Sequence, residues 1–222
     1  MNSPLQVLFI DLDDTLYPKD SGIWQAISDR INRYMVERIG LSQTQANSNR
    51  TRYLEAFGTS LTGLVREHHV SPQEYLQFVH DIPIDEYLSP APAIRSMLDS
   101  LPQEKFVFTN ASEAHAQRVL QVLDISECFE AVIGIEALGM VSKPAPGAYT
   151  KALQIAGGPA PDRCALVDDR LANLEPAAGL AMLTVWVSVA ADQPDFVDQR
   201  IASIASLSEA INAATPSRSS HG

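Results

Sequence analysis

The feature that most limits what this chain can fold into is Val7-Leu8-Phe9-Ile10, four apolar, β-favouring residues in succession within residues 5–12. Side chains of a strand alternate between two faces, so a run without alternation has to be buried on both. Similar runs recur at 105–108 (KFVF), 131–135 (AVIGI), 164–167 (CALV) and 183–187 (LTVWV). Helical patterns at 112–123, 146–156 and 174–181 separate them. Strand and helix in alternation predict an α/β fold, a Rossmann-like parallel sheet with helices on both faces. Pro146 is placed to open its helix. Asn173 is placed to cap another, with Pro176 in the first turn, where a missing N–H costs nothing.

The interval between the first strand and the second is too long for a simple crossover. Roughly ninety residues separate Thr15 from Thr109, whereas a strand–helix–strand unit needs about thirty. Ile23, Ile27, Ile31, Tyr34, Met35 and Ile39 recur every three or four residues and form one apolar helical stripe. Ser71-Pro72-Gln73-Glu74 is a capping-box signature with Pro at the first helical position. The predicted organisation is therefore a catalytic α/β core at 1–17 and 89–213 and a small inserted helical cap at 18–88. The proline-containing stretch 81–92 returns the chain to the core, and 214–222 is expected to be a disordered tail.

Charge narrows the partners. The net charge is −11 and no basic run is long enough to track a phosphate backbone, so binding to a nucleic acid polymer is not expected. An acidic protein repels small anions, so an enzyme for them needs local positive charge in its cleft. Cys128 and Cys164 each sit in a short apolar stretch and read as buried, reduced thiols. No run reaches the ~20 apolar residues of a membrane span. The first residues do not lead from a basic region into an apolar run, as a signal peptide does, so a cytoplasmic setting is the expectation. A small-molecule substrate is the expected partner; oligomeric state is not readable.

Open parallel sheets bind ligands at the carboxyl ends of their strands. The first run ends in Asp11-Leu12-Asp13-Asp14-Thr15, and residues two apart in an extended chain face the same side, which brings Asp11 and Asp13 together. The fourth run ends in Asp168-Asp169. Four carboxylates at one sheet edge need a cation, and hard oxygen ligands in a partly hydrated site favour Mg²⁺. Asp-rich turns after strands are common. The argument rests on two acidic strand ends together with Thr109-Asn110 after the second run and Ser142-Lys143-Pro144 after the third. Other constellations fail: there is no G-x-S-x-G elbow and no G-x-x-x-x-G-K loop. His68 and His69 are adjacent, so on a helix they diverge by about 100° and do not share a metal.

The set Asp11-x-Asp13-x-Thr15, Thr109, Lys143 and Asp168-Asp169 resembles the four motifs of the haloacid dehalogenase superfamily, in their usual order. Asp13, the second acidic residue of the first motif, favours its phosphatase branch over the dehalogenases. DLDDTLYP, GTSLTGL, FTNASEAHAQRVL, SKPAPGAY and VDDRLANL are similar to the pyrimidine 5′-nucleotidase group within it. In two places the chain departs from that group, at Ala111 and at Pro176.

The resemblance implies a Mg²⁺-dependent phosphomonoester hydrolase. Asp11 is the expected nucleophile, forming an aspartyl-phosphate, and Asp13 the general acid and base, with a pKa raised by burial beside other carboxylates. Thr109, Asn110 and Lys143 are expected on the phosphoryl oxygens. The expected metal ligands are the Asp11 carboxylate, the Asp13 backbone carbonyl, Asp169 and, directly or through water, Asp168. Tyr17, Arg52, Thr59 and Ser60 are the candidates for reading a pyrimidine nucleoside leaving group. The alternatives are a phosphatase of the same mechanism acting on another small phosphoester, and a binding protein without turnover.

Overall fold

The computed structural model describes residues 5–214. Six strands, β1 (Val7–Ile10), β2 (Glu104–Phe108), β3 (Ala131–Ile133), β4 (Cys164–Asp168), β5 (Leu183–Val187) and β6 (Gln199–Ile201), form one sheet in the order β3-β2-β1-β4-β5-β6. Every neighbouring pair is parallel. This is the doubly wound order, with β1 at the switch point. The fold class expected from the sequence is the one observed.

The apolar runs behave as double burial demands. Leu8 and Ile10 join one buried layer, together with Val107, Val167 and Val185. Val7 and Phe9 join the other, with Phe106, Phe108, Leu166 and Trp186. The first layer packs under α5 (Pro92–Asp99), α6 (Glu113–Leu123) and α9 (Leu207–Ala214); the second packs under α7 (Pro146–Ile155) and α8 (Leu171–Gly179).

Between β1 and α5 lie four further helices: α1 (Ile23–Glu37), α2 (Gln43–Phe57), α3 (Ser60–His68) and α4 (Pro72–Val79). Three of their starts, those of α2, α3 and α4, are chemically marked. Ser42 and Gln45 form a reciprocal capping box, and Thr59 and Ser71 accept the N–H groups of Thr62 and Glu74. The stripe Ile23, Ile27, Ile31, Tyr34 and Met35 is buried as predicted, and its core is continuous with the sheet layer of Leu8 and Ile10.

Several sequence expectations need correction. β6 was not anticipated, because three residues of mixed polarity carry no apolar signal. Asn173 is not a cap: α8 begins at Leu171, with Asn173 in its first turn and Pro176 in its interior. The Asn173 side chain is turned instead to Asp168, donating from Nδ2 to its carboxylate at 3.0 Å, while Asp168 Oδ1 also accepts the Arg170 N–H at 2.9 Å. Cys164 is buried but Cys128 is only half-buried; both thiols are free. Of the expected tail, Ala214 ends α9 and 215–222 lie outside the described residues, as do 1–4. No described helix is long and apolar enough to cross a membrane.

Gly63, inside α3, lies against the face of Tyr53, and a Cβ there would come within 2.1 Å of the ring. Gly63→Ala is expected to destabilise the fold by about 1–3 kcal/mol through overpacking, read as a fall in melting temperature.

Candidate active site

Register assembles the site. Ile10 is paired with Val107 on one side and Val167 on the other, so the next residues, Asp11, Phe108 and Asp168, lie abreast at the carboxyl edge. The Asp11 N–H continues the ladder to the Val167 carbonyl at 2.9 Å. At the centre stands Lys143, from the loop between β3 and α7 and fully buried. Its Nζ donates to Asp11 Oδ1 (2.8 Å), Asp168 Oδ2 (2.7 Å) and the Phe108 carbonyl (2.6 Å). All three ammonium hydrogens are thereby satisfied.

Asn110 holds that loop in place. Its Oδ1 accepts the Lys143 N–H (2.8 Å) and its Nδ2 donates to the Lys143 carbonyl (3.0 Å). The side chain expected on a phosphate is therefore committed to the Lys143 backbone. Thr109 is buried beside it; its Oγ1 accepts the Ala111 N–H at 3.0 Å and keeps its own proton for donation.

The electrostatics show a deficit of positive charge. Carboxylate oxygens of Asp11, Asp168 and Asp169 lie within 4.8 Å of one another, the one such acidic group among the described residues. Burial pushes the Asp11 carboxyl well above its usual range; Lys143 opposes this, and Asp168 and Asp169 add to it. Burial also acts to lower Lys143, but Asp11 and Asp168 outweigh it and hold the ammonium above its ordinary value. The two shifts agree once the charges are counted: one ammonium is shared between two touching carboxylates. Asp169 is raised by burial as well, against the pull of Lys19, whose Nζ reaches it at 2.8 Å. A hard divalent cation fits this donor set, because carboxylate oxygens are its preferred ligands and its charge is what the cluster lacks.

Asp13 stands apart from that cluster. Its Oδ1 accepts the Tyr17 hydroxyl and lies 3.3 Å from His115 Nε2. Burial acts to raise this carboxyl, but His115 and Tyr17 together overcome it and hold Asp13 below its ordinary value. That reverses the elevation expected from the sequence. The neighbours were taken to be carboxylates, whereas the contacts are donors.

Above the strand ends is a cavity of about 380 Å³, within the small-molecule range of ~300–1,000 Å³. Asp11, Asp13, Asp169, Thr109, Asn110 and Lys143 line its floor, and Thr59 and Ser60 reach it from the helical insert. Three candidates do not. Asp168 is fully buried behind the floor, its oxygens taken by Lys143, Asn173 and the Arg170 N–H. Tyr17 is buried behind Asp13, and Arg52 faces outward, where its guanidinium takes both Glu67 oxygens. Arg50 lines the cavity instead, beside Trp24, Leu54 and Tyr75, with no hydrogen-bond or ion-pair partner among the described residues. Burial lowers its guanidinium. Sequence reasoning passed over Arg50, Lys19 and His115. The last lies inside FTNASEAHAQRVL, in an amphipathic helical pattern that carries no signal for its contact with Asp13.

The insert touches this floor directly. Gly58, at φ +77°, leaves no room for a side chain: a Cβ would lie 2.7 Å from Pro144 Cδ and 2.9 Å from the Lys143 carbonyl. Arg170 donates to the Gly58 carbonyl at 3.3 Å from the other side.

Residues 5–180 match the family described as haloacid dehalogenase-like hydrolase, and the chain belongs to that family of enzymes. It is 24% identical over 192 residues to phosphate metabolism protein 8 of Saccharomyces cerevisiae, covering 80% of this chain but 60% of that protein's length. It is 25% identical over 214 residues to phosphoglycolate phosphatase of Aquifex aeolicus, covering 91% and 96% of the two chains. Among solved structures, the magnesium-bound HAD-hydrolase YfnB from Bacillus subtilis matches with a TM-score of 0.61 at 15% identity, over 95% of this chain and all of the other. L-2-haloacid dehalogenase from Xanthobacter autotrophicus matches at 0.62 and 13%, over 96% and 100%. At these identities the structural likenesses establish the fold.

The raised carboxylates have a pH consequence. Burial, with Asp169 and Asp13 adding to it, pushes Asp14 up to about 6. A carboxyl raised in the folded state stabilises below its unfolded value, near 3.9, and that contribution is lost as pH climbs through the folded value. Without divalent cations, Asp14→Asn is expected to gain melting temperature over the wild type between about pH 4 and pH 7. Mg²⁺ is expected to stabilise the wild type more at the upper end, where protons no longer compete. Thermal melts across that range, with chelator or with Mg²⁺, check both.

Proposed function

We propose that the chain is a magnesium-dependent phosphatase that hydrolyses small phosphate monoesters through a covalent phosphate on Asp11, with pyrimidine nucleoside monophosphates as its substrate class. The observation that carries this is the contact of Asp11 with Lys143 at the floor of the cavity, beside Asp169 and with Asp168 buried behind them. The relatives named as phosphate metabolism protein and phosphoglycolate phosphatase support phosphate-ester chemistry. The two free thiols suit a reducing, cytoplasmic setting.

In this reading a carboxylate oxygen of Asp11 bonds to phosphorus as the bond from phosphorus to the leaving oxygen breaks. The Thr109 hydroxyl donates to the phosphoryl oxygens, and Lys143, its hydrogens committed to protein acceptors, supplies positive charge behind Asp11. Asp13 gives the leaving oxygen a proton, then takes one from the water that cleaves the aspartyl-phosphate and frees phosphate. In the free protein Asp13 is ionised; a phosphate anion seated beside it raises its affinity for that proton, as a neighbouring like charge does. Asp11, Asp168, Asp169 and the Asp13 backbone carbonyl would hold Mg²⁺, which when bound offsets the repulsion between nucleophile and phosphate.

The helical insert, residues 18–88, serves as the cap over the leaving group. Trp24, Leu54 and Leu61 offer it an apolar wall and Arg50 a guanidinium with no hydrogen-bond partner among the described residues, a pairing that suits a planar ring bearing carbonyl acceptors. Arg50 equally suits a carboxylate, which keeps a small carboxylated phosphoester as the second reading.

Asp11→Asn is expected to lower phosphate release on the order of 10⁴-fold, as loss of a nucleophile does. Arg50→Met is expected to cost UMP and CMP roughly 10- to 100-fold in kcat/KM, the worth of one charged hydrogen bond, and to leave p-nitrophenyl phosphate nearly unaffected. Phosphoglycolate turned over faster than either nucleotide would transfer the assignment to the second reading. A generic aryl phosphate matching them all would remove any role for Arg50 in selection.

A further inference from the structure

Asp13 presents its two carboxylate oxygens to unlike surroundings. Oδ1 is held by two donors, the Tyr17 hydroxyl and His115 Nε2, and among the described residues no donor is found on Oδ2. Tyr17 and His115 are each 1% exposed, so both act from behind the side chain. Asp13 itself remains partly open toward the cavity.

The His115 ring has little choice of state or position. Its Nδ1 is buried without a partner. Placing the ring's hydrogen there would strand a donor and turn the Nε2 lone pair on a carboxylate, so the hydrogen belongs on Nε2, pointing at Asp13. The backbone is fixed in the first turn of α6, where the Ser112 Oγ accepts the His115 N–H at 3.2 Å. The ring face is fixed by His80, stacked at 4.4 Å between centroids and 17° between planes. His80 in turn is tied to the same Ser112 Oγ through Nδ1 at 3.0 Å.

We infer that Tyr17 and His115 are positioning residues that clamp Oδ1 of Asp13, so that Oδ2 alone exchanges protons with the substrate. The inference rests on the acid–base role proposed above for Asp13. Rotation about the carboxylate's last bond is broad and roughly two-fold, so an unclamped carboxyl would present either oxygen at varying angles. In the clamped arrangement the proton passes from Oδ2 to the leaving oxygen as its bond to phosphorus breaks. In the second half, a water proton passes to Oδ2 as water oxygen bonds to phosphorus and the bond to Asp11 breaks.

The leaving group distinguishes such a role from general support of the fold. An alkoxide needs the proton, whereas p-nitrophenolate leaves without it. His115→Phe keeps a ring to stack on His80 and removes the donor; Tyr17→Phe does the same for the hydroxyl; His115→Gln returns an N–H. The readout is kcat/KM, which reports the step that releases the leaving group, measured on a nucleoside monophosphate and on p-nitrophenyl phosphate, with Asp13→Asn as reference. His115→Phe and Tyr17→Phe are expected to lose about 10- to 100-fold on the alkyl ester and under about threefold on the aryl ester, with His115→Gln recovering part of the loss. If either Phe variant fails to fold, the other carries the test. Equal losses on both esters, or none, while Asp13→Asn separates them, would overturn the clamp and leave the acid role standing. An Asp13→Asn enzyme that does not separate them would overturn the acid role and the clamp with it.

Discussion

The site depends on one buried ammonium. Lys143 is removed from water, which costs several kcal/mol unless its hydrogens find acceptors and its charge finds counter-ions. It meets both needs through Asp11, Asp168 and the Phe108 carbonyl. Those partners come from three adjacent strands, so the contact also fixes the ends of β1, β2 and β4 relative to one another. Asn110 holds the Lys143 backbone with both ends of its amide, which keeps the loop from withdrawing. The interaction that gathers the reactive groups is thus also one that the sheet edge needs in order to bury them.

Two aspartates two residues apart are driven in opposite directions by their surroundings. Asp11 sits among carboxylates with a shared ammonium and is raised; Asp13 sits among donors and is lowered. Divergent environments for paired carboxyls are how a site divides labour between chemically identical groups. Here the elevation at Asp11 comes first from burial, with Asp168 and Asp169 adding to it against the pull of Lys143. The depression at Asp13 measures hydrogen bonds already made.

Much of this arrangement was legible in the sequence, for a definite reason. Double burial leaves unbroken apolar runs, and strand ends in a parallel sheet share one edge, so topology alone brings Asp11, Thr109 and Asp168 to one place, whereas Lys143, in the loop after β3, also needs Asn110 to hold it there. What escaped was whatever depends on which way a helix faces. Arg50 and Arg52 are two residues apart on α2, hence about 200° apart around its axis. Without the packing of α2 nothing says which of them looks inward. Tyr17 follows the acidic loop closely enough to suggest contact with substrate, yet its hydroxyl is turned to Asp13. His115 lies in an ordinary amphipathic pattern, and only the stacking of α4's end on α6 shows what its ring touches. β6 carried no apolar run, because an edge strand needs none.

The apolar side chains of α1 to α4 run without a break into the layer beneath β1 and β2. Leu8 and Ile10 on the sheet, and Ile23 and Tyr75 on the insert, are parts of one packed body. Exchanging residues 19–86 for the corresponding segment of another family member would therefore open voids or clashes in the sheet layer as well. A substitution on the inner face of α1 or α4 is therefore also a substitution in the packing of the sheet.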